Sequence, residues 1–178
     1  MQIQAHPLEP FFHQAVRESY EGKLGLHDPD VIGYVSRLLC DFSEPDNLLQ
    51  RHGAAGYSFQ ELEAKILAAD PVNGTARSFD EERAVRKYVG DYALFVAGML
   101  PEAVDSGAAE LGRRPTLGEL IKAGKESYYV VSQFNVFEYK KEAPLFTRLS
   151  EQFERYLLGL ALVREEMGKR LALPSQVN

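Results

Sequence analysis

The sequence predicts an all-α fold, a single-domain helical bundle of about six helices over residues 1–178 with a long C-terminal helix. Helix-start signals recur along the chain, and each is followed by apolar residues at helical spacing. Two segments are also so apolar that each needs cover on several sides. With 45% hydrophobic and 26% charged residues, the chain of 178 residues has enough apolar material for such a core.

The first two helices are predicted in the N-terminal quarter of the chain. One runs from about Pro10 to Gly22. The second has Asp28 as its N-cap, a proline at the first helical position, and an end near Ser43. Its apolar residues recur at helical spacing: Val31, Ile32, Val35, Leu38, Leu39 and Phe42.

Three capping boxes mark the starts of the next helices. In each box a Ser or Thr precedes a Glu by three residues, so that hydroxyl and carboxylate satisfy backbone N–H groups reciprocally. The pairs are Ser58 with Glu61, Ser78 with Glu81, and Thr116 with Glu119. The helices predicted from them cover residues 59–69, residues 78–100 before Pro101, and residues 117–137 with an interruption allowed at Gly124.

Two connections and one ambiguous segment complete this map. Residues 70–75 (DPVNGT) and 102–115 combine glycine, proline and polar residues, so both are predicted to be loops. Residues 130–139 (VVSQFNVFEY) are rich in valine and aromatic residues, which favours a strand as well as a helix. We predict this segment to be helical.

The last helix is predicted over residues 144–171, before Pro174. Its a/d seam alternates steps of three and four: Phe146, Leu149, Phe153, Tyr156, Leu160, Val163 and Met167. The middle of the helix, residues 156–163, is apolar almost all round, because Leu158 and Leu162 lie away from the seam. Such a helix must be covered on more than one side. Either a two-layer bundle or a second copy of the chain would provide this cover.

Asp91 is the most unusual residue of the sequence. It is the one charged residue of the segment 88–100, which otherwise suits a central helix of the bundle. Burying an unpaired carboxylate is costly, so we expect Asp91 to have a definite partner. The candidates are Lys87 one turn earlier and the side chains of Ser127, Tyr128 and Tyr129. Two roles stay open for it: a structural hydrogen bond that fixes helix register, and a general acid or base in a pocket.

One functional interpretation is a small-molecule-binding or enzymatic bundle with a pocket between helices. Asp91 would face a cavity of a few hundred Å³. The predicted binding residues are Asp91, Glu126, Tyr128, Tyr88 and Tyr92. No catalytic motif assigns a reaction. No metal site and no cofactor are predicted, because the four histidines lack ligand spacing and no phosphate loop matches.

The other functional interpretation, which the sequence favours, is a homo-oligomeric interaction module, a homodimer through the helix at 144–171. A net charge of -6 argues against a nucleic-acid partner. No segment reaches the roughly 18–20 apolar residues of a membrane-spanning helix. The single cysteine, Cys40, fits a reducing compartment. We therefore expect a soluble cytoplasmic protein.

Two segments carry a resemblance to a known group. Residues 90–102 (GDYALFVAGMLPE) and 127–134 (SYYVVSQF) resemble a small family of uncharacterised bacterial all-α proteins. That family shares a Gly-Asp-x-x-Leu-Phe-x-x-Gly-x-x-Pro-Glu stretch and a downstream tyrosine-rich helix. The resemblance implies a bacterial source but no activity. It directs attention to Asp91, Phe95, Gly98, Pro101, Glu102 and Tyr128.

Overall fold

The computed structural model describes residues 6–44, 59–68, 73–74, 77–104 and 114–172. Within them it contains seven α-helices and no β-strand, which confirms the predicted all-α fold. The helices are α1 (Glu9–Arg17), α2 (Pro29–Ser43), α3 (Phe59–Ala68), α4 (Phe79–Met99), α5 (Leu117–Gln133), α6 (Ala143–Glu151) and α7 (Phe153–Ala172). A π-helical turn (Glu18–Lys23) follows α1, and short 3-10 turns occupy Pro101–Ala103 and Phe137–Lys141. None of these described helices has the length and apolar character needed to cross a membrane.

The starts of α2 and α5 follow directly from their cap residues. Asp28 Oδ1 accepts a hydrogen bond from the backbone N–H of Val31 at 3.1 Å, ahead of the proline at the first position of α2. At the start of α5, Thr116 and Glu119 form a complete capping box, in which each side chain accepts from the other residue's backbone N–H. Both predicted starts are therefore confirmed.

Of the two hydrogen bonds in the capping box predicted at Ser78, only one forms. Ser78 Oγ accepts from the backbone N–H of Glu81 at 3.2 Å, but the Glu81 carboxylate accepts from the backbone N–H of Arg77 at 2.8 Å instead of that of Ser78. The helix start is confirmed, and the reciprocal bond is displaced by one residue. Ser58, the cap predicted for α3, lies outside the described residues.

The structure corrects two predictions for α5. The helix is not interrupted at Gly124, where a Cβ would lie 2.5 Å from the Phe153 ring, so this glycine allows α7 to approach. The helix also ends at Gln133 instead of near residue 137. Beyond it Val136 is extended and Phe137 has a positive φ of 49°, so the valine-rich and aromatic segment forms neither the full helix nor a strand.

The predicted helix at 144–171 is two helices. Gln152, with φ -112° and ψ 24°, separates α6 from α7. The predicted seam survives this break: its members from Phe146 to Val163 are buried, and Met167 packs partly buried against the core. Two helices therefore share one continuous apolar seam.

The core is centred on α4. Every residue from Val89 to Val96 is buried, and α4 packs against α2, α3, α5 and α7. Glycines let neighbouring side chains lie directly on the backbone. A Cβ built on Gly90 would lie 2.5 Å from the Tyr128 ring, and one on Gly98 would lie 2.6 Å from Leu160 Cβ. The predicted central position of this helix is thus observed, and its glycines set the spacing to α5 and α7.

Helix α7 is covered on several sides by its own chain. It contacts α1, the π-helical turn, α4, α5 and α6. Leu158 is the exception, because 53% of it is exposed, and Leu162 is partly buried. The bundle itself therefore supplies most of the cover that the apolar middle of this helix requires.

Candidate functional site

A cleft of about 610 Å³ opens between α2, the middle of α4 and the start of α6. Helix α2 contributes a wall that includes Gly33, Tyr34 and Arg37, and α4 contributes Lys87 and Asp91. The third wall comes from the segment that leads into α6 and from α6 itself: Lys141, Glu142, Pro144, Leu145, Phe146 and Arg148. His6 and Glu9, at the start of α1, complete the lining, so four separate parts of the chain meet around one polar space.

Ion pairs fix the third wall against the other two. Arg148 of α6 donates to Asp28 at 2.7 Å and to Asp30 at 3.2 Å, which ties α6 to the start of α2. Arg83 of α4, only 8% exposed, donates to Glu142 at 2.7 Å. Each arginine therefore joins two segments that are distant in sequence.

Asp91 lies in the wall of this cleft and links three helices. Its Oδ1 atom accepts a hydrogen bond from the Tyr34 hydroxyl of α2 and another, at 2.8 Å, from the Tyr128 hydroxyl of α5. Its Oδ2 atom accepts from Lys87 Nζ at 2.8 Å. The residue is 8% exposed, so the carboxylate is almost enclosed by its donors and open to the cleft on one side.

The two tyrosines are held as hydrogen-bond donors. Burial raises the pKa of the Tyr34 and Tyr128 hydroxyls well above the ordinary value of 10.0, and the neighbouring Asp91 carboxylate raises both further. Lys87 Nζ lies 5.2 Å from the centre of the Tyr34 ring, within the range of a cation–π contact. At neutral pH both phenols are therefore protonated and can donate to Asp91.

This arrangement can orient a polar molecule that carries both donors and acceptors. An ammonium group has three N–H donors. In the described part of the chain Lys87 donates one hydrogen bond, to Asp91, and its side chain is 37% exposed. A carboxylate can accept about four hydrogen bonds, and Asp91 accepts three. Each group thus has capacity left for a ligand in the cleft.

The partners expected for Asp91 are found in part. Lys87 and Tyr128 both donate to it, as predicted. Tyr129 does not, because it points outward and is 58% exposed. Ser127 is fully buried, but its hydroxyl has no hydrogen-bond partner among the described residues and does not reach Asp91.

Glu126 does not lie near Asp91. It is exposed, pairs with Lys122 at 4.0 Å, and borders a separate surface depression of about 390 Å³. Residues two apart on a helix face in nearly opposite directions, so Tyr128 and Glu126 cannot enter the same pocket from α5. The grouping of Glu126 with Asp91 is corrected by this geometry.

Tyr88 and Tyr92 also lie outside the lining of the cleft. The two rings are 6.3 Å apart, and that of Tyr88 also stacks on Phe42, at 6.3 Å between ring centres. Lys87 and Asp91 form one row along α4, whereas Tyr88 and Tyr92 form the next row, turned by about 100°. Both tyrosines therefore lie on the neighbouring face of α4, where Tyr88 packs against Phe42 of α2.

Sequence reasoning missed Tyr34. It follows Val31 by three residues and stands beside the apolar stripe of α2. A tyrosine at such an edge can bury its ring and direct its hydroxyl to a polar group at the border of the core. That signal marks Tyr34 as a candidate but does not identify Asp91 as its partner.

Within the described residues, the cleft contains a buried ionic network. A depression of about 970 Å³ along α1 and the π-helical turn is wider, but none of its lining residues is buried. Within the described ranges no group of three or more His, Cys, Asp or Glu side chains could hold a metal ion. No protein-family model, curated protein or solved structure matches the chain.

Proposed function

We propose that this protein binds a small polar molecule in the cleft at Asp91, with Asp91 and Lys87 as the contacting groups. One observation carries the proposal: an almost buried carboxylate, held by donors from three helices, lines an open cleft of about 610 Å³. Volumes of this size are typical of small-molecule sites, in which a few polar groups fix the orientation of the ligand.

The energetics of burial also support a binding role. Replacing a buried ionic group by well-packed apolar residues is often neutral or stabilising, so stability alone gives weak grounds for such a group. A polar contact that serves only the core is fully enclosed in this bundle, unlike Asp91. The Tyr20 hydroxyl donates to the Tyr156 carbonyl at 2.7 Å, and Tyr20 is fully buried. Asp91 instead borders space that a ligand can occupy.

The test compares the thermal unfolding of the wild type and Asp91→Asn with a panel of metabolites added to each. Asparagine keeps the shape of the side chain and still accepts from the tyrosines, so we expect the variant to fold with a loss of about 1 kcal/mol. A ligand that binds the cleft should raise the Tm of the wild type and not that of the variant.

Glu126→Gln is the matched control, because it removes a carboxylate outside the cleft. It should respond to the ligand as the wild type does. The proposal is overturned if Asp91→Asn lowers the Tm strongly while no metabolite shifts either protein, since Asp91 would then be a structural hydrogen-bond acceptor only.

Self-association through α6 and α7 is a second candidate function. The observation that favours it is the exposure of Leu158, at 53%, on the apolar middle of α7. A symmetric contact with a second copy of the chain would cover this side chain. Sedimentation velocity at rising concentration should give a dimer for the wild type and a monomer for Leu158→Glu. A wild type that stays monomeric at high concentration excludes this candidate.

A further inference from the structure

The cleft contains two cations that have no ion-pair partner in the part of the chain that the structure describes. Arg37 and Lys141 line the cleft, and no carboxylate lies within salt-bridge distance of either. Three acidic residues of the lining are already occupied by other cations: Asp91 by Lys87, Glu142 by Arg83, and Asp30 by Arg148. The positive charge at Arg37 and Lys141 is therefore free to meet a ligand.

Two further acids line the cleft, but neither neutralises these cations directly. Glu9 lies in the first turn of α1, where the positive end of the helix dipole stabilises a carboxylate. Asp41 follows Arg37 by one turn, yet no ion pair joins them, and Asp41 has another interaction of its own. The lining holds five carboxylates and four Arg or Lys side chains, and among the described residues Arg37 and Lys141 are the two of these four that no carboxylate pairs with.

The backbone at Gly33 leaves open space beside Arg37 in the wall of the cleft. A glycine inside a helix is destabilising relative to alanine. At Gly90 and Gly159 close packing explains the glycine, because a Cβ would lie 2.5 Å or less from an aromatic ring. At Gly33 the nearest atom to such a Cβ is Arg37 Nη1 at 3.9 Å, so packing within the chain does not require a glycine there.

We propose that the ligand of this cleft is a small organic anion, a carboxylate or a phosphate. Its charged end faces Arg37 and Lys141, and its body lies on the bare backbone of Gly33 and reaches toward Lys87 and Asp91. Guanidinium and ammonium groups bind both oxyanions through charge-assisted hydrogen bonds. This inference rests on the proposed binding function and adds the charge of the ligand to it.

The experiment titrates the full chain with four small probes, among which succinate and succinamide are matched in size and differ in charge. Succinate and inorganic phosphate are the anions, succinamide is neutral, and putrescine is a dication. Chemical-shift changes in NMR spectra give the affinity and the location of each probe. We expect at least one anion to bind at millimolar concentration with shifts at Gly33 and Lys87, and neither succinamide nor putrescine to do so.

Three variants locate the anion. Arg37→Gln should weaken anion binding by about tenfold or more, because it removes a charge-assisted hydrogen bond. Gly33→Leu should abolish binding by filling the space above the backbone, and its thermal unfolding shows whether the fold is kept. Arg155→Gln is the matched control, since Arg155 is exposed outside the cleft and its only side-chain bond, among the described residues, is to Gln152.

The results separate this inference from the proposed function. If putrescine or succinamide binds at Gly33 and Asp91→Asn abolishes that binding, the cleft is a binding site and the anion inference is wrong. Anion binding that Arg37→Gln leaves unchanged, or no binding of either anion, also overturns the inference. In the last case the metabolite panel on Asp91→Asn still decides the proposed function by itself.

Discussion

Tyr20 and Tyr34 lie in two regions of the same core that are built in opposite ways. Around Tyr20 the packing is closed. Its hydroxyl donates to the Tyr156 carbonyl at 2.7 Å, and a Cβ built on Gly159 would lie only 2.2 Å from its ring. The Tyr20 hydroxyl therefore has its hydrogen-bond partner within the chain, and α7 fills the space beside its ring.

Around Tyr34 the packing is open. Its hydroxyl donates to Asp91, a group that faces the cleft, and the neighbouring Gly33 has no atom closer than 3.9 Å to the position of a Cβ. A tyrosine at the core and a glycine in a helix therefore do not by themselves show whether the packing around them is closed or open. The same two residue types close the core at α7 and leave a ligand-sized space at α2.

The largest expected effect is that of Gly159→Ala in the closed region. The new methyl group would overlap the Tyr20 ring, so either the ring or α7 must move. We expect a loss of about 3 kcal/mol in the free energy of unfolding, measured by urea denaturation. The control is Gly118→Ala, where nothing lies within 4 Å of the added Cβ. A loss below about 1 kcal/mol for Gly159→Ala would show that this packing is looser than described.

Alkaline pH should destabilise the fold through its buried phenols. Burial raises the pKa of Tyr20 and Tyr128 well above 10.0, so the unfolded chain releases these protons first. Their contribution is complete below pH 10 and decreases as the pH rises toward the folded pKa. Between pH 10 and 11 we expect a loss of about 1 kcal/mol per tyrosine.

Urea denaturation at several alkaline pH values measures this slope. Tyr20→Phe removes one titrating group from the closed region, and Tyr128→Phe removes one from the Asp91 network. Each variant should lose about 1 kcal/mol less than the wild type between pH 10 and 11. If the wild type shows no loss over that interval, the phenols ionise freely in the folded state, which contradicts their burial.

The two tyrosines that bind Asp91 should differ in their cost of removal. Tyr128→Phe takes a donor from the buried side of the carboxylate, and we expect a loss of about 1.5 kcal/mol. Tyr34→Phe takes a donor from the cleft side, where water can replace it, so about 0.5 kcal/mol is expected. Urea denaturation of both variants checks the order. Equal losses would mean that the cleft gives water no access to Asp91.

The parts of the fold that depend on local signals could be predicted from the sequence. The cap at Asp28 and the capping box at Thr116 involve residues within four positions of each other, and both helix starts are confirmed. The break at Gln152 could not be predicted, because neither a proline nor a glycine interrupts the pattern there.

In the candidate site too, local spacing predicts some of the residues, whereas others depend on how the helices pack. Lys87 is one helical turn from Asp91, and Tyr128 was among the polar residues of the next predicted helix, so both could be named. Tyr34 approaches Asp91 only because α2 packs on α4, and spacing along the chain does not determine which helices are neighbours. Glu126 lies away from Asp91 because residues two apart on α5 face in nearly opposite directions, and Tyr128 occupies the inward direction.

Gly33→Ala in the open region is the one substitution expected to increase stability. The added Cβ meets only Arg37 Nη1, at an ordinary contact distance of 3.9 Å, and alanine favours the helix by about 0.5–1 kcal/mol. Urea denaturation should show this gain, opposite in sign to Gly159→Ala. NMR titration of the same variant with succinate should show weaker binding, since the methyl group occupies part of the cleft. A loss of stability would instead mean that α2 is packed as tightly at Gly33 as α7 is at Gly159, and the contrast between the two regions would disappear.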